Sequence, residues 1–170
     1  MLFRSQLLAL NKNALVLRIR MPIGGAHHPR DFITKITRYP RICSIPNSMT
    51  VLPTFFPHIH KWMLQKQTGV INCTNPGTIS HNEILQLYKE RIIPDLHWVN
   101  MSLEEQKHML AAGRSNNTLN TERLENLAPG IPTIKEALNQ IIDEYNRGAL
   151  WQCPVCRKEV KSSLTCTCHA

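Results

Sequence analysis

The sequence predicts an α/β fold in which parallel strands lie beneath helices. Two apolar runs, Ala14–Arg20 and Gly69–Thr74, have the near-continuous hydrophobicity of strands buried on both faces. Hydrophobic spacing and helix start signals indicate about seven helical segments around them. Because two strands cannot form a buried parallel sheet alone, we expect either a partner chain or a longer polypeptide to supply the remaining strands.

Three of the predicted helices begin with a capping box, in which a hydroxyl and a carboxylate three residues later bind the amides of the first turn. The pairs are Ser80 with Glu83, Ser102 with Glu105, and Thr133 with Glu136. Further helices are expected over Met1–Asn11, over Phe32–Arg38 with Asp31 as its cap, from Pro53 to about Gln67, and from Asn120 through Leu127.

Positive charge is concentrated in the first half of this 170-residue chain, which has a net charge of +8. Residues 1–82 contain ten Lys and Arg but one acid, Asp31. These basic residues are scattered singly and aromatic residues make up 6% of the chain, so the pattern disfavours nucleic acid and favours a nucleotide pyrophosphate. No apolar run has the roughly 18 residues that a membrane span needs, so we expect no membrane partner.

The six cysteines fall into two groups. Cys43 and Cys73 stand alone in apolar surroundings and are predicted to be buried thiols. No secretory signal precedes them, so we expect a reducing cytoplasm, which favours metal over disulfides for the remaining four. Residues 148–170 therefore contain a candidate zinc knuckle, with an unselected read-through segment and a disordered redox-active tail as the alternatives. Its candidate ligands are Cys153, Cys156, Cys166, Cys168 and His169.

Five segments, in order, carry a resemblance to a known family: Leu17–Pro22, Pro29–Ile36, Ile45–Thr50, Thr74–Ile84 and Arg114–Asn120. From residue 18 to residue 142 the chain resembles the C-terminal part of a nucleotide-rhamnose synthase. This enzyme is a bifunctional 3,5-epimerase/4-reductase, similar to dTDP-4-dehydrorhamnose reductase, within the extended short-chain dehydrogenase/reductase superfamily. More than one short motif is involved, so the resemblance is specific.

The resemblance implies a fold, a substrate and a cofactor. Residues 1–147 would comprise the last strands of a Rossmann-type domain and a mostly helical substrate lobe, and 148–170 would be the cysteine-rich tail. The family reduces and epimerises a UDP- or dTDP-linked 4-keto-6-deoxyhexose with NADPH, and the sequence leaves the choice of UDP or dTDP open. The residues implied to bind the nucleotide-sugar are Arg20, Arg30, Phe32, Asn47, Ser48, Thr50, Arg114 and Asn117.

The motifs for hydride transfer are absent from this sequence. None of its seven glycines forms the G-x-G or G-x-x-G turn that lets backbone amides approach a cofactor pyrophosphate. The family's catalytic tyrosine has a lysine four residues later, whereas Tyr39, Tyr88 and Tyr145 are followed at that spacing by Cys43, Ile92 and Ala149. We therefore expect no catalytic residue here and no oxidoreductase activity from this chain alone.

Three explanations for these missing motifs stay open: a truncated gene model, a degenerate paralogue, and half of a split enzyme completed by an N-terminal partner. A different class of function also stays open, a non-enzymatic adaptor whose zinc knuckle contacts protein or RNA.

Overall fold

Helices make up most of the regular structure in the computed structural model, which describes residues 11–109, 111, 115–145, 151–152 and 159–160. The predicted helix at the start of the chain lies almost wholly outside these residues. No described helix is both long enough and apolar enough to cross a membrane. The helices are α1 (Phe32–Ile36), α2 (Leu52–Leu64), α3 (His81–Arg91), α4 (Leu103–Met109), α5 (Glu122–Leu127) and α6 (Ile134–Ile141), which a 3₁₀ turn (Ile142–Tyr145) extends.

The predicted capping residues act as expected at four helices. Capping boxes start α3, α4 and α6, and the Asp31 carboxylate accepts the Thr34 amide at the start of α1. A hydrogen bond from Lys135 and others from Ser80 lower the pKa of Glu83 to about 2. At α5 the prediction needs correction, because the helix is capped at Thr121, although the Asn120 side chain still accepts the Glu122 amide at 2.8 Å.

The strands of the described residues form four separate pairs. The two strands that the sequence predicted, β1 (Leu15–Arg18) and β5 (Gly69–Asn72), are parallel partners. Two-residue strands have no periodicity to detect, so the sequence did not predict the other three pairs. The pairs are β1 (Leu15–Arg18) with β5 (Gly69–Asn72), β2 (Pro22–Ile23) with β4 (Thr50–Val51), β3 (Arg41–Ile42) with β6 (Val99–Asn100), and the antiparallel β7 (Trp151–Gln152) with β8 (Glu159–Val160).

Two apolar clusters hold these elements together. The larger one joins α1, α3, α6 and β2, and the smaller one packs Phe55 and Trp62 of α2 against Ile71 of β5 and Leu124 of α5. Both cysteines predicted to be buried are so, and burial raises the pKa of Cys73 to about 11.

Arg123 of α5 seals the outer edge of β5. Its guanidinium donates to the carbonyls of Val70 at 3.0 Å and Thr68 at 2.7 Å. Gly69 lies between these carbonyls at φ +87°, and a Cβ atom there would stand 2.9 Å from Nη1 of Arg123. Glycine is therefore required both for the backbone conformation and for the approach of the arginine.

The outer edge of β1 has no comparable cover among the described residues. The register, with Gly69 donating to Ala14 and Cys73 donating to Arg18, turns the backbone groups of Leu15 and Leu17 away from β5. If the chain is a fragment of a longer enzyme, the apolar faces of Leu15, Leu17 and Ile19 should be exposed when it stands alone. Ile19 is 53% exposed, but Leu15 and Leu17 are partly buried because they pack against the smaller cluster.

This edge makes a testable prediction about amide exchange. The amides of Leu15 and Leu17 should exchange with solvent at least about tenfold faster than those of Val16 and Arg18, which face β5. Hydrogen–deuterium exchange followed by NMR on the whole chain would measure all four amides in one strand. Equal protection of all four would show that another part of the chain covers this edge.

Candidate functional site

The Thr50 hydroxyl, at the start of β4, joins the chain segments that lie just beyond the carboxyl ends of β1 and β5. It accepts the Arg20 amide at 3.0 Å and donates to the Cys73 carbonyl at 2.6 Å, while the Thr50 amide donates to the Arg20 carbonyl at 2.9 Å. Met21, the residue after Arg20, has φ +43°, a conformation that non-glycine residues seldom adopt and that is enriched at functional sites. Ligands of α/β proteins bind at such carboxyl ends, so this position is the candidate site.

The Arg20 side chain is held over these strand ends by its Nη2 atom. Nη2 donates to Oδ1 of Asn47 at 2.6 Å and to the carbonyl of Ser115. Its Nε atom is buried and has no hydrogen-bond partner among the described residues. A buried guanidinium N–H without an acceptor is costly, so an incoming oxygen ligand would be stabilised there.

Asn47 and Ser48 anchor the polar segment 115–119 to the loop before β4. Oδ1 of Asn47 accepts the Asn117 amide at 3.0 Å, and the Ser48 hydroxyl accepts the Leu119 amide at 2.9 Å. Asn47, Ser48 and Thr50 are fully buried, so their hydrogen bonds run inside the protein. Asn117 is exposed, and its side chain donates to the Ser115 hydroxyl at 3.4 Å.

The structure thus brings together five of the eight residues implied to bind substrate: Arg20, Asn47, Ser48, Thr50 and Asn117. Two others lie on the segment around α1, where Arg30 is exposed and Phe32 packs on the His81 ring with centroids 5.4 Å apart. Arg114 lies outside the described residues.

Sequence reasoning missed several groups of this site. The carbonyls of Cys73 and Ser115 are main-chain atoms that no motif can show, and the Asn116 side chain was one polar residue among several in its segment.

An open groove of about 430 Å³ lies beside segment 115–119. The Ser48–Leu119 hydrogen bond and a 2.8 Å bond from Asn72 to the Asn120 carbonyl connect it to the strand ends. Its oxygen-rich wall offers acceptors for hydroxyl groups. The lining residues are Gly77, Thr118, Leu119, Asn120, Thr121, Glu122, Glu125 and Asn126.

A second polar cluster is buried between α1, α3 and the 3₁₀ turn. The Asp31 carboxylate accepts hydrogen bonds from the Gly24 amide at 2.7 Å and the Tyr145 hydroxyl at 3.0 Å. His27 is hydrogen bonded to the Tyr88 hydroxyl at 3.2 Å and contacts both tyrosine rings edge-on. Burial raises the pKa of Tyr88 to about 12, raises the pKa of Tyr145, and lowers the pKa of His27.

The described residues do not fit a dinucleotide cofactor. A pyrophosphate needs a glycine turn from a strand into free helix amides. Here β4 runs directly into α2 through Pro53. In the first turn of α3, the Ser80 hydroxyl already accepts the Glu83 amide and the Ser44 hydroxyl accepts the Asn82 amide, beside the Glu83 carboxylate. A carboxylate at that position would repel phosphate, so no chemical step is assigned to NADPH on these residues.

Comparison with known proteins identifies the relatives of this chain. No protein-family model matches the sequence. The chain is 48% identical over 134 residues to the L780 protein of Acanthamoeba polyphaga mimivirus, across 79% of this chain and 46% of that one. It is 43% identical over 143 residues to the bifunctional dTDP-4-dehydrorhamnose 3,5-epimerase/dTDP-4-dehydrorhamnose reductase of Arabidopsis thaliana, across 84% of this chain and 48% of that one.

Solved structures agree with the sequence comparison. The crystal structure described as the L780 UDP-rhamnose synthase matches with a TM-score of 0.79 at 47% identity, covering 84% of this chain and 50% of that one. The dTDP-4-dehydrorhamnose reductase from Yersinia enterocolitica, at 16% identity, shares the fold with a TM-score of 0.65 over 84% of this chain and 53% of that one.

The fold is therefore the α/β fold of the dTDP-4-dehydrorhamnose reductases. Within that class the chain is a homologue of the nucleotide-rhamnose synthases, which confirms the resemblance seen in the sequence. The chain spans about half the length of the curated relatives it matches.

The zinc site stays a prediction, because Cys153, Cys156, Cys166, Cys168 and His169 all lie outside the described residues. Within the described part of the chain, no group of three or more His, Cys, Asp or Glu side chains could hold a metal ion.

Purified protein should contain one zinc per chain by elemental analysis, and Cys153→Ser with Cys156→Ser should abolish it, because thiolates supply the ligands. The double variant Cys43→Ser with Cys73→Ser is the matched control, and protein without stoichiometric zinc would contradict the prediction.

The His27 environment predicts that folding stability falls as the pH is lowered. Because burial lowers the pKa of His27 and of His81 below the ordinary 6.5, the unfolded chain binds more protons than the folded chain as the pH falls through 6.5. Stability should be complete above that value and decline towards pH 5.5, by at most about 1.4 kcal/mol per pH unit for each histidine. Urea unfolding at a series of pH values would measure this decline.

His27→Gln should flatten the pH dependence, because it removes one titrating group and keeps a partner for Tyr88. His60→Gln, on the exposed face of α2, is the matched control for the exchange of histidine for glutamine. A His27→Gln profile as steep as that of the wild type would exclude His27 as the titrating group.

Proposed function

We propose that this chain forms the nucleotide-sugar binding part of an enzyme that makes a nucleotide-linked rhamnose. The substrate would be a UDP- or dTDP-linked 4-keto-6-deoxyhexose, which the whole enzyme epimerises and reduces with NADPH. In this proposal, residues 1–147 form the end of the cofactor-binding sheet and the substrate lobe, and residues 148–170 form a separate tail.

The observation that carries the proposal is the Arg20 guanidinium at the strand ends. It is fixed through Nη2, and its buried Nε has no acceptor among the described residues. A guanidinium presents planar, directed N–H groups, which suit the oxygens of a diphosphate. Arg114, one residue before Ser115 in sequence, would be the second arginine, and the relatives' printed activities on nucleotide-linked sugars agree with such a ligand.

The open groove beside segment 115–119 is a suitable binding place for the sugar. Glu122 and Glu125 make it unsuitable for phosphate, but carboxylate and amide oxygens accept hydrogen bonds from sugar hydroxyls. The diphosphate would then lie at Arg20 and the sugar towards Asn120, on the two sides of the Ser48–Leu119 contact.

Hydride transfer would require residues that this chain does not provide. We propose that a further part of the enzyme, on a complementing N-terminal polypeptide or on a longer form of this one, supplies the glycine turn and the tyrosine–lysine pair and adds a strand to the uncovered edge of β1. The open backbone groups of Leu15 and Leu17 support this arrangement, as does the half-length match to the relatives. We place the enzyme in a reducing cytoplasm.

Calorimetry with UDP, dTDP and inorganic phosphate tests the binding proposal on the whole chain. We expect UDP or dTDP to bind with a much lower Kd than phosphate does, and the nucleotide that binds more tightly identifies the natural carrier. Arg20→Gln should weaken nucleotide binding at least about tenfold. Arg20→Lys should weaken it less, because lysine keeps the positive charge but lacks the planar, directed N–H groups of the guanidinium. Arg114→Ala should weaken binding similarly.

Arg38→Gln is the matched control, since it removes an equal charge from an exposed position. Circular dichroism melts should accompany each variant, because Arg20 also contributes internal hydrogen bonds. A folded chain that binds neither nucleotide would refute the proposal and favour the adaptor function.

A further inference from the structure

The Asn47 side chain is a fully satisfied hydrogen-bonding centre. Its Oδ1 accepts from Nη2 of Arg20 at 2.6 Å and from the Asn117 amide at 3.0 Å. Its Nδ2 donates to the Ile45 carbonyl at 3.0 Å and to Oδ1 of Asn116 at 3.1 Å. The residue is fully buried and all four of its hydrogen-bonding positions are occupied, so, unlike Arg20, it has none left for a ligand.

Only an amide of this length satisfies all four partners. Aspartate could accept the two hydrogen bonds but could not donate the other two, and leucine could do neither. The Asn47 main chain also exchanges two hydrogen bonds with that of Ile79: the Asn47 amide donates to the Ile79 carbonyl at 3.0 Å, and the Ile79 amide donates to the Asn47 carbonyl at 3.1 Å. These bonds fix the position of the Asn47 Cα atom. The direction of the side chain is therefore set by the main chain on one side and by four partners on the other.

This fixed amide determines how Arg20 presents its charge. The guanidinium is planar and rigid, so holding Nη2 against Oδ1 of Asn47 sets the direction of its remaining N–H groups. Among these groups is the buried Nε, which has no acceptor in the described part of the chain. The same Oδ1 also holds the Asn117 amide, so one oxygen links the arginine to segment 115–117.

We propose that Asn47 is a positioning residue for nucleotide binding, acting through Arg20 and not by contact with the ligand. It keeps the guanidinium oriented towards the diphosphate in the free protein. Nucleotide binding therefore avoids the entropy cost of ordering the Arg20 side chain. The inference rests on the proposed function for the ligand, but the orientation of Arg20 is a property of the free protein.

A double-mutant cycle tests whether Asn47 acts through Arg20. Asn47→Leu should weaken UDP binding about tenfold in the wild-type background and by less than about twofold when Arg20→Gln is already present. Asn75→Leu is the matched control, because Asn75 is another fully buried asparagine that bonds main-chain groups but does not touch Arg20 or segment 115–119; it should change binding by less than about threefold. An Asn47→Leu effect that persists without Arg20, or an Asn75→Leu effect of equal size, would overturn the proposal.

Asn47→Asp is the second variant, in case the leucine destabilises the fold. It retains both accepted hydrogen bonds and places a carboxylate against the guanidinium. UDP affinity should fall, and its dependence on ionic strength should become shallower, because the charge of Arg20 is then offset inside the protein. Unchanged affinity and salt dependence would count against the proposal.

The ordering of Arg20 gives a readout that needs no ligand. In the wild type, the side-chain ¹⁵N–¹H relaxation of Arg20 Nε should show a rigid group, and Asn47→Leu should make it mobile while Asn75→Leu leaves it rigid. If no form binds UDP, the proposed function fails but this measurement still decides the role of Asn47. An Arg20 Nε as rigid in Asn47→Leu as in the wild type would refute that role.

Discussion

Hydrogen bonds from buried polar side chains to the main chain hold together the region that carries the site. Strands of two residues form too few ladder bonds to define a sheet, so side chains supply the missing ones. Asn75 accepts the Val51 amide at 2.9 Å and donates to the Pro132 carbonyl at 3.1 Å, and Thr50 links β1 to β5 in the same way. Both side chains are fully buried, where an unpaired polar group would be costly.

Arg20 and Arg123 show how one residue type serves structure and function differently. Each places a guanidinium against main-chain carbonyls of a distant segment. Both Nη atoms of Arg123 donate to main-chain carbonyls along the outer edge of β5, and Gly69 leaves room for the guanidinium because it has no side chain. Arg20 bonds through one Nη atom and retains a buried Nε without a described acceptor, so it keeps capacity for a ligand. Unused bonding capacity under burial therefore distinguishes the candidate binding arginine from the structural one.

Homology and local chemistry bear on different parts of the proposed enzyme. The match to the nucleotide-rhamnose synthases covers about half their length, and the polar contacts in that half converge on Arg20 and segment 115–119. In the described residues, the turns from strand to helix contain either a proline or a first helical turn that is already capped and carries an acidic side chain. These features stabilise the helices, but they do not suit the binding of a cofactor's phosphates. The division that we propose is between a part of the enzyme that binds the nucleotide-sugar and a part that carries out chemistry on it.

The sequence by itself determined the features that depend on neighbouring residues. The capping boxes at Ser80, Ser102 and Thr133 and the two longer strands could be predicted because each signal spans a few positions. Tertiary structure decided the short parallel strands and the site, since Arg41 pairs with Val99, and Asn47 reaches both Arg20 and Asn117 across gaps of 27 and 70 positions. Residues of the site could be named from resemblance, but which of them is buried, paired or open to a ligand depends on contacts between distant segments, and no local pattern encodes those contacts.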